Sequence, residues 1–206
     1  MAHCPHAELL EEAARHVPYG AAVLDAGCGL GQFLDHLPAD VEPYLGLDVR
    51  DEMIDACRRR FPGRPGAAFE KADLATADLG VGRFDVVAFL NTLEEPGLDE
   101  VGLLRQARAA LRPGGRVLLA GASSPARFAR IEEVVIARRR DDRRFAGAEA
   151  ALGALLEANR RRLDQPRSDW SVEGKVALLA HLGYGRIHGV TNRLYGGAAY
   201  LVAAGL

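Results

Sequence analysis

Short apolar runs alternate with amphipathic stretches along residues 7–121. A short apolar run bounded by turn residues is typical of a buried strand, and apolar residues three and four apart are typical of one face of a helix. This alternation predicts an α/β fold, a doubly wound and mostly parallel sheet with helices on its faces. The predicted strands are residues 21–25, 44–48, 67–71, 84–90 and 116–121, and the predicted helices are residues 7–17, 51–61 and 98–111.

The rhythm changes over residues 122–170, where arginines and acids are interleaved and apolar residues recur at helical spacing. We expect helices here, inserted as a lid at the ligand-binding edge of the sheet, with Phe128, Ile131 and Val135 turned inward. The arginines of this segment, with acids among them, indicate a helix face exposed to solvent. The alternative is that one of them turns inward and pairs a carboxylate or phosphate.

The chain after this insertion returns to regular elements. A helix is predicted from Ser171, and two strands are predicted over residues 185–192 and 197–204. We therefore expect residues 1–206 to form a single domain that contains the lid of residues 122–170.

Three glycines two residues apart follow the first predicted strand, in the pattern Asp-x-Gly-x-Gly-x-Gly at residues 25–31. Glycine tolerates positive φ and lets a ligand lie against bare main chain. The dinucleotide fingerprint is absent, because Gln32 and Leu34 occupy the positions at which its third glycine would fall. The Lys-Ser/Thr ending of a phosphate-binding loop is absent as well. We expect a strand, a tight turn and then a helix.

Acids follow two further predicted strands. Asp48 ends the second strand, and Asp73 comes shortly after the third. Ligands of open α/β sheets bind beyond the carboxyl ends of the strands, so both acids are expected near the glycine turn. An acid in the position of Asp48 can accept both hydroxyls of a ribose. Asp73 by itself indicates only a solvated loop acid.

Five motifs in order resemble the class I S-adenosylmethionine (SAM) dependent methyltransferases, in particular the small-molecule branch that includes enzymes of ubiquinone synthesis. They are Val-Leu-Asp-x-Gly-Cys-Gly-x-Gly at 23–31, Gly-Leu-Asp-Val at 46–49, Ala-Asp-Leu at 72–74, Phe-Asp-Val-Val at 84–87 and Leu-Arg-Pro-Gly-Gly at 111–115. The resemblance implies a seven-stranded Rossmann-like sheet of order 3-2-1-4-5-7-6, with the seventh strand antiparallel, and SAM as the cofactor.

The resemblance also implies which residues hold SAM. Asp48 would bind the ribose, Asp73 and the Leu74 N–H the adenine, and the main chain at Asn91 the methionine part. No basic side chain is expected at these strand ends, because SAM carries no phosphate. The implied cofactor-binding residues are Asp25, Gly27, Cys28, Gly29, Gly31, Asp48, Val49, Met53, Asp73, Leu74 and Asn91.

The loop after the fourth strand departs from the family pattern. Small-molecule methyltransferases often have Leu-Glu-His here, whereas this chain has Leu-Glu-Glu at 93–95. Glu94 or Glu95 is therefore the candidate general base. The Asn/Asp-Pro-Pro-Tyr/Phe motif of adenine and glutamine methylation is absent, and the paired acids of metal-dependent catechol enzymes are not evident, so no metal is expected.

Composition excludes some classes of partner. The formal net charge of −2 provides no basic field for nucleic acid. No apolar run approaches the ~20 residues that span a bilayer. Three cysteines at scattered positions favour a reducing cytoplasm. The preference for Arg, Ala and Gly over Lys is typical of a GC-rich bacterium.

These observations predict a methyltransferase that delivers the SAM methyl group in line to an O, N or C atom of a small molecule. Two alternatives remain: an enzyme of the same fold that cyclises or cleaves SAM, and a SAM-binding regulator without activity. A methyltransferase for RNA or protein would need a basic appended domain, which this sequence lacks. The acceptor and the methylated atom are left open, and so is a homodimer.

Overall fold

The core of the protein is a seven-stranded sheet, seen in a computed structural model that describes residues 5–95, 97–122, 133–134, 136–137, 139–163, 171–191 and 199–206. The strands are β1 (Val23–Ala26), β2 (Tyr44–Asp48), β3 (Ala67–Lys71), β4 (Phe84–Leu90), β5 (Leu111–Ala122), β6 (Gly185–Thr191) and β7 (Ala199–Gly205). Their order is β3-β2-β1-β4-β5-β7-β6, and β7 is antiparallel to both neighbours. The predicted order and the antiparallel seventh strand are confirmed.

The strand order reverses beside β1, which pairs with β2 on one side and with β4 on the other. In open α/β sheets the ligand crevice opens at this reversal, beyond the carboxyl ends of the strands. The glycine turn leaves β1 at that point. The topology therefore brings the ends of β1, β2 and β4 to one edge, although residues far apart in sequence form them.

Helices cover both faces of the sheet. They are α1 (Pro5–Ala14), α2 (Asp51–Arg60), α3 (Glu100–Ala110), α4 (Glu149–Leu163) and α5 (Val172–His181). Asp99 and Ser171 cap α3 and α5, because their side chains accept from the N–H groups of Gly102 and Gly174. None of the described helices is long and apolar enough to cross a membrane.

Two cores lie on opposite faces of the sheet, and β1 contributes to both. Val23 points into the core shared with α1 and α2, whereas Leu24 points into the core shared with α3 and α5. Both side chains are fully buried. Alternation along a strand places successive side chains on opposite faces, so the apolar run of β1 is buried on both sides. This packing on both faces fixes the position of β1 and therefore of the glycine turn that follows it.

The segment after the glycine turn corrects one prediction. It forms a 3₁₀ helix over Gln32–His36, five residues long, instead of an α-helix. Leu37 is extended, with φ −78° and ψ 153°, because the proline at residue 38 disfavours a helical conformation before it. The turn itself, and not a long helix N-terminus, must therefore offer main-chain donors to a ligand.

Strand β5 begins earlier than predicted, at Leu111 instead of residue 116. Leu111 pairs with Phe84, and regular pairing resumes only where Arg116 meets Val86. The Pro-Gly-Gly segment between them forms an irregularity within the strand. A sequence pattern places a turn there because these residues are the usual ones in turns.

The described part of the insertion packs against α2 and the glycine turn. Arg60 of α2 fixes this contact: its guanidinium lies 4.5 Å from the Phe145 ring centre and 2.6 Å from the Asp35 carboxylate. The shared apolar cluster consists of Leu30, Met53, Ala56, Ile136, Phe145, Ala148, Ala151 and Leu152. The inward side chains predicted at 128, 131 and 135 lie outside the described residues, so the lid stays a prediction.

Candidate functional site

The glycine turn crosses the end of β1 with Gly27, Gly29 and Gly31 at φ 82°, 52° and 67°. A Cβ on Gly27 would overlap Thr92, and one on Gly31 would come within 2.9 Å of the Phe61 ring. A Cβ on Gly29 would meet no atom within 4 Å. Packing thus requires glycine at the first and third positions, whereas the space beside Gly29 is open to a ligand.

The Asp48 carboxylate at the end of β2 is 4% exposed and is tied to the turn. Its Oδ2 accepts from the Gly29 N–H at 3.0 Å, and its Oδ1 accepts from the Arg50 N–H at 3.0 Å. The Arg50 guanidinium adds an ion pair, with Nε 3.1 Å from Oδ1 and Nη2 3.4 Å from Oδ2. The expectation of no basic side chain at these strand ends is wrong, because Arg50 folds back onto the acid and compensates its burial.

Asp25, in β1, is the other buried acid of the site, at 2% exposed. The Tyr44 hydroxyl donates to its Oδ2 at 2.6 Å. The pKa of the Asp25 carboxyl is raised to about 7, mainly by burial. The Tyr44 hydrogen bond lowers this pKa and the nearby Asp48 charge raises it. Near neutral pH this carboxyl is therefore divided between its neutral and charged forms.

Two adjoining cavities extend along the strand ends, with volumes of about 340 Å³ and about 80 Å³. They share Gly27, Arg50 and Asn91 as walls. The larger is also lined by Asp48, Val49, Ala72, Asp73, Leu74, Thr92, Glu95 and Leu98. The smaller is also lined by His6, Leu10, Asp25, Cys28, Gly29, Gln32, Phe33, Leu90, Arg139 and Leu155. Together they form one groove, which the Arg50 side chain narrows between its two parts.

The sequence profile of the methyltransferase domain family matches residues 24–117, from β1 into β5. The chain is 29% identical over 108 residues to dTDP-3-amino-3,4,6-trideoxy-alpha-D-glucopyranose N,N-dimethyltransferase of Streptomyces venezuelae, covering 50% of this chain and 43% of that protein. It is 29% identical over 120 residues to the ubiquinone biosynthesis O-methyltransferase of Xanthomonas axonopodis pv. citri, covering 56% and 49%. Over this part the chain is similar to the class I methyltransferases.

A solved SAM-dependent methyltransferase from Archaeoglobus fulgidus has the same fold as this chain, with a TM-score of 0.64 at 16% identity over 97% of this chain and 94% of that one. At that identity the likeness is one of fold alone. The chain spans less than half the length of the two curated methyltransferases that it matches.

The groove fits SAM, the cofactor of the class I methyltransferases. The open space at Gly29 is a cradle that any side chain would fill. The volume of the larger cavity, about 340 Å³, lies in the range of ~300–1,000 Å³ typical of ligand pockets. Asp48 presents a buried acceptor to that cavity, as a ribose would require. The arrangement therefore offers space and a buried hydrogen-bond acceptor of the kind that SAM would need.

Most of the predicted cofactor-binding residues line this groove, and two do not. Met53 is fully buried beneath Leu30 in the contact with the insertion. Gly31 packs under Phe61 and Cys57. The predicted residues on the cavity walls are Asp25, Gly27, Cys28, Gly29, Asp48, Val49, Asp73, Leu74 and Asn91.

The two candidate bases occupy different surroundings. Glu95 lines the larger cavity, close to the positive charge of Arg50. Glu94 instead lies against Gly121 at the end of β5, and its Oε1 accepts from the Tyr200 hydroxyl at 3.1 Å. Burial, followed by the Glu94 charge, raises the pKa of Tyr200 well above its usual value, so Tyr200 remains a neutral donor. Glu94 thus ties the loop after β4 to β7.

Sequence reasoning missed Arg50, Thr92 and Arg139 as parts of the site. The position of Arg50, two residues after the acid, was a usable signal, because a long side chain there can fold back onto Asp48. Thr92 is buried against Gly27 and carries no distinguishing pattern. Arg139 is one of many arginines in the insertion, and only the fold selects it.

Asp25→Asn should remove a pH dependence of stability. The pKa of this carboxyl rises from 3.8 to about 7 on folding, so the folded state holds the proton more tightly than the unfolded state does. The resulting contribution to the free energy of unfolding is fully present below pH 4 and is lost as the pH rises to 7. The total loss is about 4 kcal/mol at ~1.4 kcal/mol per pKa unit. Urea unfolding should give similar free energies for the variant and the wild type at pH 4, close to the pKa of the unfolded carboxyl. At pH 8 the variant should be more stable, by up to about 4 kcal/mol.

The Asn amide oxygen can still accept from the Tyr44 hydroxyl, so that hydrogen bond is kept. Asp51→Asn, which removes an acid on the exposed face of α2, is the control for loss of one surface charge. A stability difference between Asp25→Asn and the wild type that does not change from pH 4 to pH 8 would contradict the assignment.

Proposed function

We propose that this protein transfers the methyl group of SAM to a small-molecule acceptor. The observation that carries the proposal is the continuous groove over Gly29, with the buried Asp48 carboxylate on its wall. The match of residues 24–117 to the methyltransferase domain family supports the same activity. The named relatives are an amino-sugar N,N-dimethyltransferase and a ubiquinone biosynthesis O-methyltransferase, so an acceptor with an amine or a hydroxyl is the first choice.

The larger cavity would hold the adenosine part of the cofactor. Asp48 would accept from the ribose hydroxyls, and Asp73 and the Leu74 N–H would meet the adenine edge. Asn91 has a left-handed backbone, with φ 60°, and its N–H donates to the Ala120 carbonyl at 2.7 Å. This conformation turns the chain sharply after β4, beside the place where the methionine part would pass.

Bound SAM would supply an electrophilic methyl group on a sulfonium. The chain's own contribution would be to align the acceptor with that methyl group, to exclude water and, for a weak nucleophile, to take a proton. Glu94 and Glu95 are our candidates for the proton acceptor. Glu95 already lines the groove, whereas Glu94 lies between the ends of β5 and β7 and would act there only on an acceptor bound on that side.

We propose that residues 1–206 act as one domain in which the insertion of residues 122–170 covers the groove. Arg139 and Leu155 of the insertion line the smaller cavity. A cover that excludes water favours a small acceptor over a polymer. The net charge of −2 supports the same choice, and cysteine usage supports a cytoplasmic location.

The activity test separates methyl transfer from other uses of the cofactor. The purified protein is incubated with SAM and a panel of amines, phenols and carboxylic acids that includes a dTDP-amino sugar. Acceptor-dependent formation of S-adenosylhomocysteine would support the proposal. Methylthioadenosine as the product would indicate side-chain chemistry instead, and binding of SAM without any turnover would indicate a regulator.

The lid predicts a change in hydrogen exchange. S-Adenosylhomocysteine should slow exchange of the amides at residues 149–157 of α4 at least ~10-fold, because ligand binding opposes local opening of the elements that touch it. Helix α5, which packs on the other face of the sheet, is the internal control and should change little. Equal exchange in α4 with and without the ligand would contradict the lid.

A further inference from the structure

Arg139 is a buried cation on the wall of the smaller cavity. It is 7% exposed and belongs to the part of the insertion that packs against α2 and the glycine turn. A guanidinium is buried only where an acceptor or a counter-charge compensates the loss of water. Its position beside the groove indicates a role toward a ligand.

Gln32 orients the Arg139 side chain. With the Gln32 amide placed so that its oxygen faces the guanidinium, that oxygen lies 2.8 Å from Nε and 2.8 Å from Nη2 of Arg139. Gln32 follows Gly31 directly and lines the same cavity. The planar guanidinium is thus fixed next to the glycine turn, a geometry suited to a carboxylate.

The cavity at Arg139 carries charges of both signs. Asp25 supplies the acid, and Arg139 and Arg50 supply the cations. Arg50 is already held by Asp48 on the side of the larger cavity, with Nε 3.1 Å from the carboxylate. Asp25 and Arg139 both lie on the wall of the smaller cavity and together match a zwitterion, which presents an ammonium to an acid and a carboxylate to a guanidinium.

The smaller cavity has room for only part of a ligand. At about 80 Å³ it is far smaller than the ~300–1,000 Å³ of pockets for whole ligands. It therefore suits the end of a molecule whose larger part lies in the adjoining cavity of about 340 Å³. An α-amino-acid end attached to an adenosine part has this shape.

We propose that Arg139, supplied by the insertion, binds the α-carboxylate of the cofactor's amino-acid end, an inference that rests on the proposed function. Cofactor binding then stabilises the position of the insertion over the groove, because the insertion carries both Arg139 and the apolar residues that pack against α2. A carboxylate on the acceptor is the other source of the same chemistry, and the experiment separates the two.

Calorimetry with S-adenosylhomocysteine and methylthioadenosine tests this assignment, because the second ligand keeps the adenosine and lacks the amino acid. Arg139→Gln should weaken S-adenosylhomocysteine binding roughly 10-fold to 100-fold and leave methylthioadenosine within about twofold. Arg139→Lys keeps the charge without the planar fork, so it should show a smaller loss. Arg140→Gln, at the exposed neighbour, is the matched control and should bind both ligands as the wild type does.

Two results would overturn the assignment, and a third would overturn the proposed function on which it rests. Equal losses for both ligands would show that Arg139 only maintains the cavity. Unchanged S-adenosylhomocysteine affinity would exclude the cofactor carboxylate and, if KM for an acidic acceptor rose, would assign Arg139 to the acceptor. Failure of the wild type to bind either ligand would instead refute the proposed function. Thermal unfolding checks each variant, and Arg139→Lys replaces Arg139→Gln if the latter does not fold.

Discussion

Gly29→Val should abolish measurable binding of S-adenosylhomocysteine while the protein still folds, the largest effect that we expect from one substitution. A valine at this position would fill the space beside the turn, where a Cβ meets no protein atom within 4 Å. A β-branched residue at φ 52° is also strained, at a cost of about 1–2 kcal/mol. Loss of a close main-chain approach to the ligand should weaken binding more than ~100-fold.

Gly63→Val is the matched control for this substitution. Gly63 has φ 70°, and a Cβ there also meets nothing within 4 Å, but it lies in the turn after α2 and away from the groove. Both variants should lose a similar amount of thermal stability, and only Gly29→Val should lose binding in calorimetry. Normal affinity in a folded Gly29→Val protein would show that the glycine turn is only structural.

Asp48→Ala should weaken S-adenosylhomocysteine binding roughly 10-fold to 100-fold. The charge-assisted hydrogen bonds that a ribose would make to this carboxylate account for ~1.5–3 kcal/mol. The structure adds a second consequence, because Asp48 also holds the Arg50 guanidinium and the Gly29 N–H. Removing the carboxylate leaves a half-buried cation without this partner, so the variant should also unfold at a lower temperature.

A double variant separates the two roles of Asp48. Adding Arg50→Ala to Asp48→Ala removes the stranded cation, so it should recover much of the thermal stability without recovering affinity. Asp51→Ala removes a nearby exposed acid that pairs with Lys71 at 2.6 Å on the surface, and it should change neither property appreciably. Recovery of affinity in the double variant would mean that Asp48 serves only to neutralise Arg50.

Asp48 and Arg50 illustrate how closely stability and binding are connected in this groove. The ribose would need oxygens that Arg50 now contacts at 3.1 Å and 3.4 Å. If the Arg50 side chain moved away from Asp48, Glu95, which lines the same cavity and whose charge already acts on Arg50, would offer another carboxylate. Exchange of one carboxylate partner for another would let the ligand enter without leaving the guanidinium uncompensated.

The sequence by itself determined the elements that depend on neighbours along the chain. The apolar runs of β1 and β4 identified buried strands, because both faces of a central parallel strand pack against helices. Ser171 was predicted to begin a helix, and the structure shows that helix as Val172–His181. The sequence analysis did not identify Asp99 as the cap of the helix Glu100–Ala110. Motif order indicated the family and, through it, the strand order. The positions of Asp48 and Gly29 at one sheet edge then followed from the topology.

Only the tertiary structure decided which distant side chains meet. Thr92 packs over Gly27, the Tyr200 hydroxyl holds Glu94, and Arg139 reaches Gln32. Each of these contacts joins segments that are far apart in the sequence, and their geometry depends on the packing of whole elements. Helical spacing identified the insertion as apolar on one side, but it could not select one arginine among many. Periodicity reports which face of an element is buried, whereas the ligand site depends on what the opposing element presents to that face.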